Sequence, residues 1–187
     1  MNVITTPLPG VLVFEPRVFT DPRGFFMETY HQQRYRDAGI QEQFVQDNHS
    51  RSGQGTLRGL HFQLHHPQGK LVRVIAGEVF DVAVDIRQGS PWFGQWFGEH
   101  LSAENKKQMY IPPGFAHGFC VLSPSADFMY KCTDFYYPED QQGIVWDDPD
   151  LAIDWPLQQP TLSAKDVALP KLHDLSEQLP VYDVASV

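Results

Sequence analysis

Apolar and polar residues alternate along most of the chain in short runs, and glycine and proline punctuate them. Turn signals read "PLPG", "TDPRG", "RSGQG", "HPQG", "RQGSP" and "IPPG", and the runs between them are rich in Val, Ile, Phe and Tyr. A two-residue period over short runs is the pattern of β-strands; many such strands joined by Gly/Pro turns predict a sandwich or barrel. Strands are predicted over Val11–Arg17, Phe25–Tyr30, Gln43–Ser50, Thr56–Gln63 and Leu71–Ala76. Further strands are predicted over Glu78–Ile86, Gln95–Leu101, Gln108–Ile111, His117–Leu122 and Phe128–Tyr136. Helix is scarce: "HQQRYRDAGI", ended by Gly39, and the short pieces "SAKDVA" and "PKLHDLSEQL". With no repeat, no low-complexity tract and no long linker, residues 1–187 are expected to form one domain.

Alternation also assigns faces. In "VFDVAVDI", Phe80, Val82, Val84 and Ile86 form a purely apolar face that belongs against a core. The other face carries Asp81 and Asp85, which need partners or solvent. In "FMYKCT", Phe128, Tyr130 and Cys132 share a face. In "LRGLHFQ", an ideal strand puts His61 and Gln63 opposite Arg58, but Gly59 permits a bulge that would re-aim Arg58.

Composition narrows the partners. The net charge of −9 argues against a nucleic-acid surface, which normally carries a basic excess. A few local Arg and Lys residues still suffice for a small phosphorylated ligand. No apolar run approaches the roughly 20 residues of a membrane helix, and the first residues do not resemble a signal peptide. Two cysteines, Cys120 and Cys132, are not a disulfide framework, so cytoplasmic residence with free thiols is expected.

The histidines concentrate in "RGLHFQLHHPQGK", Arg58 to Lys70, which reads as a metal site, an acid/base site or a wet loop. His65 and His66 stand at the turn before Pro67 and read as solvated loop residues. Together with "YIPPGFAHGFCVL" the segment resembles the two halves of a cupin, a double-stranded β-helix or jelly roll. A metal-binding cupin would carry His-x-His followed by Glu; here the residues are His61, Gln63 and Lys70. A protonated lysine cannot ligate a cation, so no metal is expected.

A sharper resemblance rests on "DPRGFFMETY", "QDNHSRS", "LRGLHFQ", "PQGKLVRVIAGEVFDVAVDIR", "GSPWFGQW", "IPPGFAHGF", "YKCTDFYYP" and "LSAKD", in this order. Together they resemble the dTDP-4-dehydrorhamnose 3,5-epimerase family, from about Gly10 to about Asp166. The resemblance implies a mostly β, cupin-like jelly roll, a homodimer, no cofactor and no metal. It also implies epimerisation at C3, C5 or both of a dTDP-linked 4-keto-6-deoxy sugar. Removing a C–H proton beside a ketone needs a base and something to hold the enolate oxygen. The resemblance implies His61 as base, paired with Asp166, although Asp166 also fits as a cap of the helix after Ser163. It implies Lys70 at the C4 oxygen and Tyr130 as proton donor on the opposite face. Without it, Lys70 reads as a solvated turn residue and Tyr130 as a core aromatic. Arg23, Glu28, Gln46, Asn48, Arg58, His117 and Lys165 are expected binding groups, with Arg58 and Lys165 candidates for phosphate or sugar. Asp81 is a candidate to hold His117. Gln141 lies where the family commonly has Glu, which either alters substrate choice or is neutral; the neighbouring Glu139 and Asp140 are alternatives for that place.

Overall fold

The computed structural model describes residues 1–175 and 178–183. The elements are β1 (Asn2–Thr5), β2 (Leu12–Glu15), β3 (Val18–Asp21), β4 (Gly24–Met27), α1 (Gln32–Asp37), β5 (Gln46–Gly53), β6 (Leu57–Gln63) and β7 (Lys70–Ala76). They continue with β8 (Glu78–Asp85), β9 (Trp96–Ser102), β10 (Gln108–Ile111), β11 (Phe115–Val121), β12 (Ser125–Cys132), β13 (Gln141–Gly143) and α2 (Ala164–Val167). A 3₁₀ turn covers Leu172–Leu175 within the helix expected in "PKLHDLSEQL". Residues 176–177 of that expected helix lie outside the described residues.

Two antiparallel sheets face each other as the jelly-roll expectation requires. One has strand order β1-β2-β10-β7-β12-β5; the other runs β13-β6-β11-β8-β9. Between them pack Val13, Val72, Val74, Val79, Ala83, Leu101, Met109, Phe119 and Phe128. A second apolar layer lies on the outer side of the five-stranded sheet. There Leu60, Phe62, Phe80, Val82, Val84 and Ile86 meet Leu151, Trp155, Leu172 and Leu175 from the C-terminal segment. Both faces of β8 are therefore covered. Its Asp81 and Asp85 are fully buried and partnered, Asp81 by His117 and Asp85 by Arg87 and Ser90. A third cluster sets Tyr35 of α1 against Phe14, Leu71 and Tyr110. Gly39, at φ +114°, ends α1 as expected.

Several boundaries differ from expectation. The strand expected over Val11–Arg17 stops at Glu15, before Pro16. A separate hairpin, β3–β4, follows it and turns at Pro22 and Arg23. The last expected long strand begins earlier and ends at Cys132, because β12 pairs along its length with β5 and β7. Neither β1 nor β13 was expected.

Candidate active site

The site begins with an irregularity in β6. His61 lies opposite His117 on β11, yet Arg58 lies opposite Phe119, so β6 uses one residue more than β11 over this stretch. Gly59 takes φ +117°, and a Cβ there would sit 2.6 Å from the His117 carbonyl oxygen. Only glycine fits such a bulge. Its effect is to change the register of the faces. Leu57, Leu60 and Phe62 all enter the outer apolar layer, while Arg58 and His61 both line the inner cleft.

The cleft has two lobes that share His61, Lys70, Tyr130 and Gln141. The basic lobe, about 380 Å³, adds Arg58, His117, Lys165 and Asp166. The amide lobe, about 360 Å³, adds Gln46, Asn48, Gln63, Gln68 and Tyr136.

His61 Nε2 lies 2.6 Å from Asp166 Oδ1. Asp166 sits on the first turn of α2, and Ser163 Oγ accepts from its backbone N–H at 3.1 Å. Ser163 is thus the cap, which frees the Asp166 carboxylate for His61. Burial opposes ionisation of Asp166, but the His61 hydrogen bond and charge outweigh it and hold the carboxyl below its ordinary range.

His117 forms a second pair on the neighbouring strand. Its Nε2 lies 2.9 and 3.0 Å from the two Asp81 oxygens. Burial pushes Asp81 up, and His117 and Lys70 pull against it. Lys70 opens β7 and lies across from Cys132. Burial draws its ammonium below the usual lysine range; Cys132 and Asp81 oppose that shift. Among the described residues the ammonium makes no hydrogen bond or ion pair. Tyr130 comes from β12 of the six-stranded sheet, so it faces His61 of the five-stranded sheet across the cleft. Burial raises its pKa, and its hydroxyl makes no hydrogen bond among the described residues.

Gln141 lines both lobes, and its Oε1 accepts from the Tyr136 hydroxyl. The adjacent Asp140 turns elsewhere, accepting from the backbone N–H groups of His65 and His66. Gln63 is held by backbone: its amide donates to the His66 and Phe135 carbonyls and accepts from the Tyr137 N–H. Among the described residues no three His, Cys, Asp or Glu side chains converge.

Two expected binding residues stand apart. Arg23, at the exposed tip of β3–β4, pairs with Asp21, and Glu28 pairs with Arg34; neither lines the cleft. Conversely, Ser50, Thr161 and Gln68 line it without having been expected. Alternation along β5 from Gln46 and Asn48 would have found Ser50.

The sequence profile of dTDP-4-dehydrorhamnose 3,5-epimerases matches residues 5–174. The chain belongs to this family. The Pseudomonas aeruginosa dTDP-4-dehydrorhamnose 3,5-epimerase is 62% identical over 168 residues, 89% of this chain and 93% of that one. A Legionella pneumophila structure, dTDP-6-deoxy-D-glucose-3,5-epimerase in complex with dTDP-4-keto-L-rhamnose, superposes with a TM-score of 0.96. It is 56% identical, covering 98% of this chain and 99% of that one. A more distant structure is a 3′-monoepimerase from Streptomyces bikiniensis in complex with dTDP-quinovose. It has a TM-score of 0.88 and 32% identity, covering 95% of this chain and 93% of that one.

Proposed function

We propose that this protein inverts C3 and C5 of a dTDP-linked 4-keto-6-deoxyhexose through enolate intermediates, as a step of deoxysugar biosynthesis. The observation that carries the mechanism is the placement of His61 and Tyr130 on facing sheets, with the Lys70 ammonium in the same cleft. His61 takes the proton from the carbon beside the C4 ketone. The C–H electron pair forms the C=C bond of the enolate, and the carbonyl π pair moves onto the C4 oxygen. Asp166 stabilises the resulting imidazolium and fixes the ring. The Lys70 ammonium, which makes no hydrogen bond or ion pair among the described residues, holds the enolate oxygen in a buried part of the cleft. Tyr130 returns a proton to the opposite face, and the configuration inverts. Once His61 has released its proton to solvent and Tyr130 has regained one, the same cycle at the second carbon completes the reaction. No step calls for a metal or cofactor.

The remaining cleft groups divide by charge. Arg58 and Lys165 suit the diphosphate, while His117, oriented by Asp81, bounds the sugar. Gln46, Asn48 and Gln141 offer neutral donors and acceptors. We place a second copy of the chain, as a homodimer, against the β3–β4 hairpin. Phe25 and Phe26 are 60% and 70% exposed, adjacent large apolar residues of the kind that mark an interface. Arg23 and Glu28 would travel with that hairpin to the interface. Cytoplasmic residence accords with two buried free thiols.

Incubation with dTDP-4-keto-6-deoxyglucose in deuterated water tests the reaction. Label at both C3 and C5 of the L-configured product is expected. Label at C3 alone would make the chain a monoepimerase, and no label would remove the epimerase reading.

A further inference from the structure

The two-residue period of β5 places Gln46, Asn48, Ser50 and Ser52 on one face. Gln46 and Asn48 line the amide lobe and are tied together, Gln46 Nε2 donating to Asn48 Oδ1 at 3.0 Å. Ser52 Oγ accepts from Arg58 Nε at 3.0 Å. Ser50 differs: its Oγ is buried and has no hydrogen-bond partner. Its Cα pairs with Phe128, and the residue lines the basic lobe. A buried hydroxyl without a partner is costly and rare in native proteins. Among the described residues only Gln142 Oε1 shares this condition, and Gln142 does not line the cleft.

The resting rotamer of Ser50 therefore has nothing to lose. Rotation about χ1 to another staggered well would break no hydrogen bond, and the residue already lines the lobe. Besides the His61–Asp166 and His117–Asp81 pairs, the lobe presents Arg58 and Lys165. Arg58 is held by Ser52 through Nε, and its terminal nitrogens make no hydrogen bond among the described residues. Lys165 lines the same lobe. An anion complements this set, and a serine hydroxyl adds a directional donor that fixes one of its oxygens.

We infer that Ser50 is a substrate-contact residue: its hydroxyl turns into the basic lobe and donates to a diphosphate oxygen, beside an Arg58 held in place by Ser52. The inference rests on the nucleotide-sugar reading above.

Calorimetric titration of the full chain with thymidine diphosphate and, separately, thymidine tests it. Ser50→Ala should weaken thymidine diphosphate binding about tenfold, the effect of one hydrogen bond to a charged group. It should leave thymidine binding unchanged. Ser50→Cys keeps the volume but offers a poor donor, and should weaken thymidine diphosphate similarly. Ligand-free Ser50→Ala should melt no lower than wild type, because it removes a buried unpaired hydroxyl. Unchanged thymidine diphosphate affinity in Ser50→Ala, or equal weakening of both ligands, would overturn the inference. A wild type that binds no thymidine diphosphate would instead overturn the underlying reading, and Ser50's role with it.

Discussion

Replacing Asp166 by asparagine separates the two roles this residue could play. The side chain keeps its shape, and the Ser163 cap is untouched, because Ser163 Oγ accepts from the backbone of residue 166. What disappears is the charge 2.6 Å from His61 Nε2. Asp166 is 4% exposed, so solvent does little to screen that charge. A hydrogen bond to a charged group contributes about 1.5–3 kcal/mol, and in the reaction His61 becomes imidazolium as it takes the substrate proton. The loss therefore falls on the transition state: kcat should drop about 10- to 150-fold at about 1.4 kcal/mol per decade, with little change in KM. Deuterium washout from the 4-keto sugar, followed by NMR, reads the abstraction step directly. Stability should respond in a pH-dependent way. The folded-state pKa of Asp166 is depressed, so its contribution is present above the ordinary carboxylate range and lost as pH falls through the folded value. The melting gap between wild type and Asp166→Asn should accordingly close in acid. A washout rate equal to wild type, or a rate loss that merely follows unfolding, would refute the dyad.

Lys70 must be protonated to hold an enolate, and burial lowers its pKa, so kcat should fall with rising pH earlier than an ordinary lysine would allow; Lys70→Met should lose about 10²–10³-fold in kcat at neutral pH, and an alkaline limb that persists in Lys70→Met would remove Lys70 from this role. Gly59→Ala forces a Cβ against the His117 carbonyl at positive φ, and backbone strain alone of about 1–3 kcal/mol should lower Tm by roughly 2–12 °C; an unchanged calorimetric midpoint would contradict the bulge. Gln141→Glu exchanges a donor for a charge beside Tyr136, and should shift the ratio of kcat/KM among 4-keto sugars; constant ratios would make the position neutral. Activity after exhaustive chelation should equal that of untreated enzyme, and loss restored by one divalent ion would mean the cleft has been misread.

The central strands were legible because each buries an apolar face against the core. β8 is the clearest case: its apolar alternation called for a core, and its two carboxylates, which needed partners or solvent, found partners. The bulge in β6 was foreseeable from Gly59, because only a glycine between Arg58 and His61 allows both onto one side. Elements at the periphery were not legible. β1 is exposed at every position, so no hydrophobic pattern marks it, and β13 is a three-residue strand defined by its pairing with β6. Motif resemblance named Arg23 and Glu28 as binding groups but carries no information on where a hairpin points. Within one chain both face solvent. Ser50 was missed for a different reason: alternation from Gln46 and Asn48 places it on the cleft face, but only its buried, unpartnered hydroxyl sets it apart from any other serine in a strand.

The opposed roles of His61 and Tyr130 are tested most directly by deuterium incorporation in three proteins: wild type, His61→Asn and Tyr130→Phe. Each is incubated with dTDP-4-keto-6-deoxyglucose in deuterated water, and label and configuration at C3 and C5 are read by NMR. General acid or base removal should cost about 10²–10⁴-fold per group, well within range. Wild type should label and invert both carbons, and His61→Asn should do neither, because no enolate forms. Tyr130→Phe should still exchange a proton on the His61 face while inversion falls. Exchange in His61→Asn at the wild-type rate would contradict the assignment of the base and, with it, the mechanism of two groups on facing sheets.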